Sequence, residues 1–407
     1  MRVEPSELTE NQRCVVTLLQ KSGPLSKGEL AERGNMGWAT VVKVVGQLSA
    51  AGIVERLGTA PGDPTKKGKR AYLYGLTRST PLAVGIDVEY RTTTMVLTNL
   101  YGDILAQQTT ATVEPTSDRA IREFLYGCIQ GFLNTHSVGS GLCGIGIGVP
   151  GIGFPSRTQL DNLISMQELS RWLAARLRMN VQVRDNTKSY AVFEQWSNQT
   201  FAYEDFVFIS IRTGIGSGIF HHGDLYLGTH GLSGEIGHIQ TVPKRGVACR
   251  CGKSGCMETV VGQRNLYRSY CLRVLRDEAR AEGSEQADQE TLSQALCDLF
   301  SRARRGESAA LRIVTEAAEH LGRCIAYTIL VLDISNIIIS GHFGPDGVLL
   351  EELLQAELAR TLLRGASYSV RYVPFDPLGH VRGAALLVLK EYLIDLRSNH
   401  IDHNEDL

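Results

Sequence analysis

Three things are missing from this sequence of 407 residues, and each removes a class of protein. Net charge is absent, since 42 Lys and Arg face 43 Asp and Glu and leave −1 at pH 7. A chain expanded or kept unfolded by an excess of one sign of charge is thereby excluded. No apolar run is long enough to span a bilayer; the longest, Ile325 to Ile339, is broken by Asp333, Ser335 and Asn336. The opening residues MRVEPSELTENQRC lack the apolar stretch of a secretory signal, so a cytoplasmic protein without membrane insertion is expected. With 43% hydrophobic and 21% charged residues the composition is globular, and the length predicts two or three domains.

The near-zero total hides an asymmetry. Residues 1–76 carry 11 Lys and Arg against 7 Asp and Glu, and the remainder is acidic by five. Thr9 with Gln12, and Ser26 with Glu29, form two capping boxes, and Gly34-Asn35 supplies the tight turn between a second and a third helix. The third helix is predicted from about Trp38 to Ala50, with Val41, Val44, Val45 and Leu48 on one face and Thr40, Lys43 and Gln47 on the other. Gly52 ends it, and IVERLG and AYLYGL read as a hairpin whose tip carries Lys66, Lys67, Lys69 and Arg70. This is the pattern of a winged helix-turn-helix. Operator double-stranded DNA is the expected partner, touched by Trp38, Thr40, Lys43, Gln47 and the four basic residues of the wing tip. A protein-interaction module of three helices and a hairpin is the alternative.

From about Leu82 the texture changes to strands, glycine turns and long helices, and it does so twice. LAVGIDVEYRTTTMVLTNLYGDIL and FVFISIRTGIGSGIFHHGDLYLG each read as strand–turn–strand sets, and GIGIGVPG and NIIISGHFG as buried strands opening onto glycines. Two α/β lobes flanking a cleft are expected, with boundaries at 1–78 for the DNA-binding head, 79–187 plus 385–400 for the first lobe and 188–384 for the second.

Three of the nine cysteines fall within eight residues, Cys249, Cys251 and Cys256, and His238 lies just upstream. Three sulfurs and one imidazole complete a tetrahedral structural Zn2+ site with no position left for catalysis. A redox pair of Cys249 and Cys251 is the competing reading, but a one-residue gap strains a disulfide.

The run GTHGLSGEIGHIQ…CRCGKSGCMET, with GIGIGVPG, TGIGSG and the preceding winged helix, resembles the ROK family of bacterial sugar kinases and sugar-responsive repressors, and its repressor branch in particular. The resemblance implies a two-lobed actin/hexokinase-like (ribonuclease H-like) body around a sugar cleft. It also implies that Glu235 and Glu258 hydrogen-bond sugar hydroxyls and that His238 serves both sugar and zinc. The kinases of the family carry Asp-x-Gly-Gly-Thr on the first strand, where this chain has Asp87-Val88-Glu89-Tyr90-Arg91, and an Asp base where it has Asn186. Asp185 is displaced by one residue. With Asn162 these two are expected as effector ligands, not as a catalytic machinery. The resulting expectation is a non-enzymatic sugar-responsive regulator acting as a homodimer or homotetramer. A sugar kinase with a fused DNA-binding head is the alternative.

Overall fold

The computed structural model describes residues 9–393, apart from 61–69, 80, 90, 114–116, 137, 139–140, 151–165 and 198–204. The first helix, α1 (Glu10–Ser22), starts at a complete Thr9/Gln12 capping box, and α2 (Lys27–Arg33) starts at a complete Ser26/Glu29 box. Asn35 takes a left-handed φ of +47° in the turn before α3 (Trp38–Ala50). Val41, Val44, Val45 and Leu48 of α3 are buried, as are Val15, Val16 and Leu19 of α1. The wing is β2 (Val54–Thr59) with β3 (Tyr72–Leu76), and a two-residue strand β1 (Leu25–Ser26) adds to the far edge of β3. The hairpin alone was legible in the sequence; β1 is too short to show a pattern.

The first lobe is a five-stranded sheet of β4 (Leu82–Val88), β5 (Thr92–Thr98), β6 (Ile104–Ala111), β7 (Leu142–Val149) and β8 (Val181–Asp185), in spatial order β6-β5-β4-β7-β8. The first three strands form an antiparallel meander, and β7 and β8 add parallel strands through crossovers that contain α4 (Asp118–Thr135) and α5 (Met166–Leu177). Helix α6 (Asn186–Ser197) leaves directly from the end of β8.

The second lobe repeats the design: β9 (Phe206–Ile211), β10 (Ile215–His221), β11 (Asp224–Tyr226), then, after the helices, β12 (Asn336–Gly341) and β13 (Ser369–Pro374), ordered β11-β10-β9-β12-β13. Between them run α7 (Glu258–Val261), α8 (Gln263–Tyr270), α9 (Glu278–Glu282), α10 (Gln289–Arg304) and α11 (Ser308–Leu332). Helix α12 (Val348–Thr361) bridges β12 and β13, and α13 (Gly379–Leu393) closes the described chain. Among the described residues no helix is long and apolar enough to cross a membrane.

Two compact units result. One holds the head, the first lobe through α6, and α13; the other holds residues 205–379. The sequence expectation of a break at 187/188 and 384/385 thus cuts through two helices that belong to the first unit. The reason is tight backbone packing between them: a Cβ on Gly383 of α13 would lie 1.8 Å from the Ser189 oxygen of α6. The head is joined to the first lobe by polar contacts. Tyr101 donates its hydroxyl to the Leu76 carbonyl at 2.8 Å, and Gln20 Nε2 donates to the Trp196 carbonyl at 3.4 Å. Arg78 pairs with Asp103 and stacks 4.8 Å from the Tyr101 ring centre.

The alternating glycines of GIGIGVPG, which could be mistaken for a phosphate loop, have a packing cause. A Cβ on Gly146 would stand 1.7 Å from the Ala384 oxygen, and one on neighbouring Gly85 would stand 2.0 Å from the Val381 oxygen. Helix α13 therefore rests directly on the backbone of β4 and β7. Overpacking at such a site has no flexible side chain to absorb it, so Gly146→Ala is expected to cost about 3 kcal/mol or more. The test is the denaturant midpoint; a loss under about 1 kcal/mol would contradict this packing account.

Candidate metal centre, neighbouring carboxylates and DNA-contacting head

Strand β10 carries the metal centre on its flank. Gly234 (φ +82°) and Gly237 press the GEIGH stretch onto that strand, since Cβ atoms there would stand 2.4 Å from the Ser217 oxygen and 2.2 Å from the Ile215 oxygen. A single 3-10 turn, Ile236–His238, then aims His238 at the cysteine loop. That loop is closed by the Cys249 amide donating to the Lys253 carbonyl at 2.7 Å and the Gly252 amide donating to the Cys249 carbonyl at 3.0 Å. At Gly255 (φ +70°) a Cβ would lie 1.8 Å from the Val242 oxygen, so the closing turn admits only glycine.

His238, Cys249, Cys251 and Cys256 bring one ligand atom each to within 4.8 Å of all the others. His238 Nδ1 is 3.5 Å from Cys249 Sγ, and Cys251 Sγ is 3.6 Å from Cys256 Sγ. Bond lengths of about 2.3 Å to sulfur and about 2.0 Å to nitrogen put the edges of a zinc tetrahedron at about 3.5–3.8 Å. The donor set and its spacing fit the ion. Burial lowers the His238 pKa and so favours the neutral, ligating imidazole. Burial and the neighbouring thiols push Cys256 up to about 12. Burial also acts to raise Cys251, but the Lys253 backbone hydrogen bond and those of its cysteine neighbours outweigh it and leave that thiol lowered. Thiols crowded this closely resist losing their protons together unless a cation offsets the charge. Gly255→Ala, which removes no ligand, is expected to lower zinc content nearly as far as loss of a cysteine, read by metal analysis of purified protein; wild-type zinc in that variant would reject the turn requirement.

Beside the centre lies a hollow of about 590 Å³ lined by Leu232, Glu235, His238, Ile239, Gln240, Cys251 and Lys253. Glu235 and His238 both line this hollow. Glu258, at the start of α7, is buried and not among the residues lining this hollow. The Ile215 amide donates to its Oε2 at 3.0 Å, and Arg250 lies across the carboxylate, with Nε 3.2 Å from Oε1 and Nη2 3.4 Å from Oε2. Gly214 of the second glycine loop lies against this pair; its Cβ would be 2.9 Å from Glu258 Oε2. Arg212 of the same loop stacks 4.9 Å from the Phe375 ring centre.

In the other unit, Asp185 caps α6. Its Oδ1 accepts from the Lys188 amide at 2.9 Å and its Oδ2 pairs with Lys188 Nζ at 2.6 Å. Asn186 is half-buried beside Gly148. Asn162 lies outside the described residues. Lys188, Arg250 and Lys253, whose Nζ donates to the His238 carbonyl at 3.1 Å, are polar partners that sequence reasoning passed over. For Lys188 the signal was present as Asp-x-x-Lys at a helix start.

In the head, Trp38 is 61% exposed, Lys43 is exposed and Thr40 half-buried. Gln47 is exposed too, but its Oε1 accepts from Gln12 Nε2 of α1 at 3.1 Å, which ties it back to the first helix. Arg70 is exposed at the base of the wing tip, and Lys66, Lys67 and Lys69 lie outside the described residues. The wing is braced by Arg56 over the Tyr72 ring at 3.9 Å and Lys27 over the Tyr74 ring at 5.0 Å.

The ROK family model matches residues 83–391. The N-acetylglucosamine repressor of Escherichia coli O6:H1 is 26% identical over 347 residues, which cover 84% of this chain and 82% of the repressor. The glucokinase of Halalkalibacterium halodurans is 28% identical over 317 residues, covering 76% of this chain and 95% of the kinase. The crystal structure of a ROK family transcriptional regulator, a homologue of the E. coli MLC protein, superposes with a TM-score of 0.73 at 22% identity, over 95% of this chain and 97% of that one. This last likeness extends across head and body and bears out the fold class.

Proposed function

Because this chain belongs to the ROK family, we propose that it is a sugar-responsive transcriptional regulator, a repressor in its basic action, rather than a kinase. The observation that carries this reading is the capped winged helix-turn-helix, with Trp38 and Lys43 exposed on its third helix, ahead of a body whose phosphate loop has been altered. At the first strand, where the family's kinases hold two glycines, the Glu89 amide instead donates to the Thr92 carbonyl at 2.9 Å in a tight strand connection. The general-base position is Asn186, and the adjacent Asp185 is neutralised by Lys188. Lowered nucleophile activation of this kind costs a kinase about 10²–10⁴ in rate.

The effector is a sugar or a close relative. Glu235 and His238 line the hollow and engage its hydroxyls, the carboxylate accepting from two and the imidazole, with its other nitrogen on the metal, donating its N–H to one. Glu258 acts with Arg250, and Asp185, Asn186 and Asn162 are proposed as further hydroxyl partners; each Asp185 oxygen retains a second lone pair beyond its Lys188 contact. A structural Zn2+ held by His238, Cys249, Cys251 and Cys256 keeps the loop that bears Glu235 rigid. The protein works in the cytoplasm as a homodimer or homotetramer, because one recognition helix reads too few base pairs alone and a two-fold pair reads a palindrome.

A thermal-shift screen across sugars, amino sugars and sugar phosphates tests the reading. At about 100-fold excess over Kd a ligand adds about 2.7 kcal/mol, or several degrees in Tm. Glu235→Ala is expected to abolish the shift while keeping its zinc. ATP-dependent phosphorylation of any hit, lost in Asp185→Asn, would replace the regulator reading with the kinase one.

A further inference from the structure

Strand β10 runs away from the zinc centre for about 20 Å, and at its far end a second set of metal-ligating side chains meets. Asp205 directly precedes β9, and His221 ends β10, one step beyond the Phe206–Phe220 pair in the antiparallel register. His222 and Gly223 make the two-residue turn into β11 with φ of +52° and +78°, the left-handed pair of a type I′ hairpin. That turn folds the His222 ring back onto its neighbour, so the two imidazole centres are 3.9 Å apart. His221 Nδ1 lies 2.8 Å from Asp205 Oδ1, which also accepts from the His222 amide at 2.9 Å. One ligand atom from each of the three residues stands within 4.8 Å of the others.

We propose that Asp205, His221 and His222 form a second divalent transition-metal site, independent of the cysteine centre and open to solvent. Two imidazole nitrogens and one carboxylate oxygen suit Ni2+, Cu2+ and Zn2+ in preference to Mg2+ or Ca2+, which take oxygen ligands. His221 and His222 are exposed and Asp205 is half-buried, so an ion enters without displacing core residues and completes its coordination with water. Loading replaces the hydrogen bond between His221 and Asp205 by two bonds to the metal. No redox or group-transfer step is involved.

The test uses the full chain with its cysteine centre loaded with zinc. Isothermal titration with Ni2+ is expected to show one saturable site per chain, weakened about tenfold or more both in His221→Ala/His222→Ala and in Asp205→Asn. The asparagine side chain still offers an oxygen to both hydrogen-bond donors, which keeps the hairpin, while far-ultraviolet circular dichroism and zinc content verify the fold of every variant. Equal Ni2+ affinity in the double variant would assign the metal to other histidines and overturn the proposal, as would absence of saturable binding in the unaltered protein.

Discussion

Replacing Cys251 by serine is expected to release the zinc and unfold most of the second unit. Structural zinc contributes on the order of 10 kcal/mol of apparent binding energy, whereas the net stability of a whole domain is about 5–15 kcal/mol. An ion held by these ligands would therefore be comparable in weight to everything else that holds this region in place. His238 and Cys256 are buried and cluster with Cys249 around the same point, so removal of one ligand strands three others without a counter-charge. Calorimetry should show the transition of residues 205–379 lowered by tens of degrees or lost, and limited proteolysis should cut there first. The half-buried Cys128, on α4 of the other unit, is the control: Cys128→Ser should keep one zinc per chain. A Cys251→Ser protein with the wild-type melting profile would remove the metal from the account of this fold.

Neutralising the wing tip should have the second large effect. Every phosphate that a cation no longer neutralises reduces the slope of log K against log salt by about 0.9. Replacing Lys66, Lys67, Lys69 and Arg70 by alanine should thus flatten it by about 3–4 per head, a difference of about 100-fold per head in how affinity falls between 50 and 200 mM salt. Lys43→Ala acts on the recognition helix and should change which sequences are preferred, with a slope change near 1. The measurement is a gel-shift or anisotropy titration on duplexes from the surrounding promoter region at several salt concentrations. An unaltered slope in the fourfold variant would move the phosphate contacts off the wing.

What the sequence disclosed was local. Thr9 with Gln12, Ser26 with Glu29, and the turn at Asn35 act over a few residues, and each is found where the pattern put it. The cysteine cluster was legible for the same reason, its ligands falling within nineteen positions of one another. Relations across long chain separations were hidden. Nothing in GIGIGVPG announces that a helix almost 240 residues later will lie on its glycines. The domain break was misplaced because α6 and α13 meet only in three dimensions, through Ser189 and Gly383. Arg250 sits between two cysteines and reads as loop filler until its guanidinium is seen across Glu258. Gln47 reads as free to meet bases, yet shares a hydrogen bond with Gln12.

Helix α6 begins at Asn186, the position that a kinase base would occupy, and near its end the carbonyl of Trp196 is held by Gln20 of the head. Twelve residues of α-helix make a rod about 18 Å long. Tilting such a rod by about 10° about its first turn swings its far end by about 3 Å. In a two-fold assembly both heads would swing, and operator half-sites are read at a fixed spacing of one helical turn. On the regulator reading proposed above, α6 would act as a lever arm, small displacements at its first turn being magnified into a mismatch with the pitch of DNA.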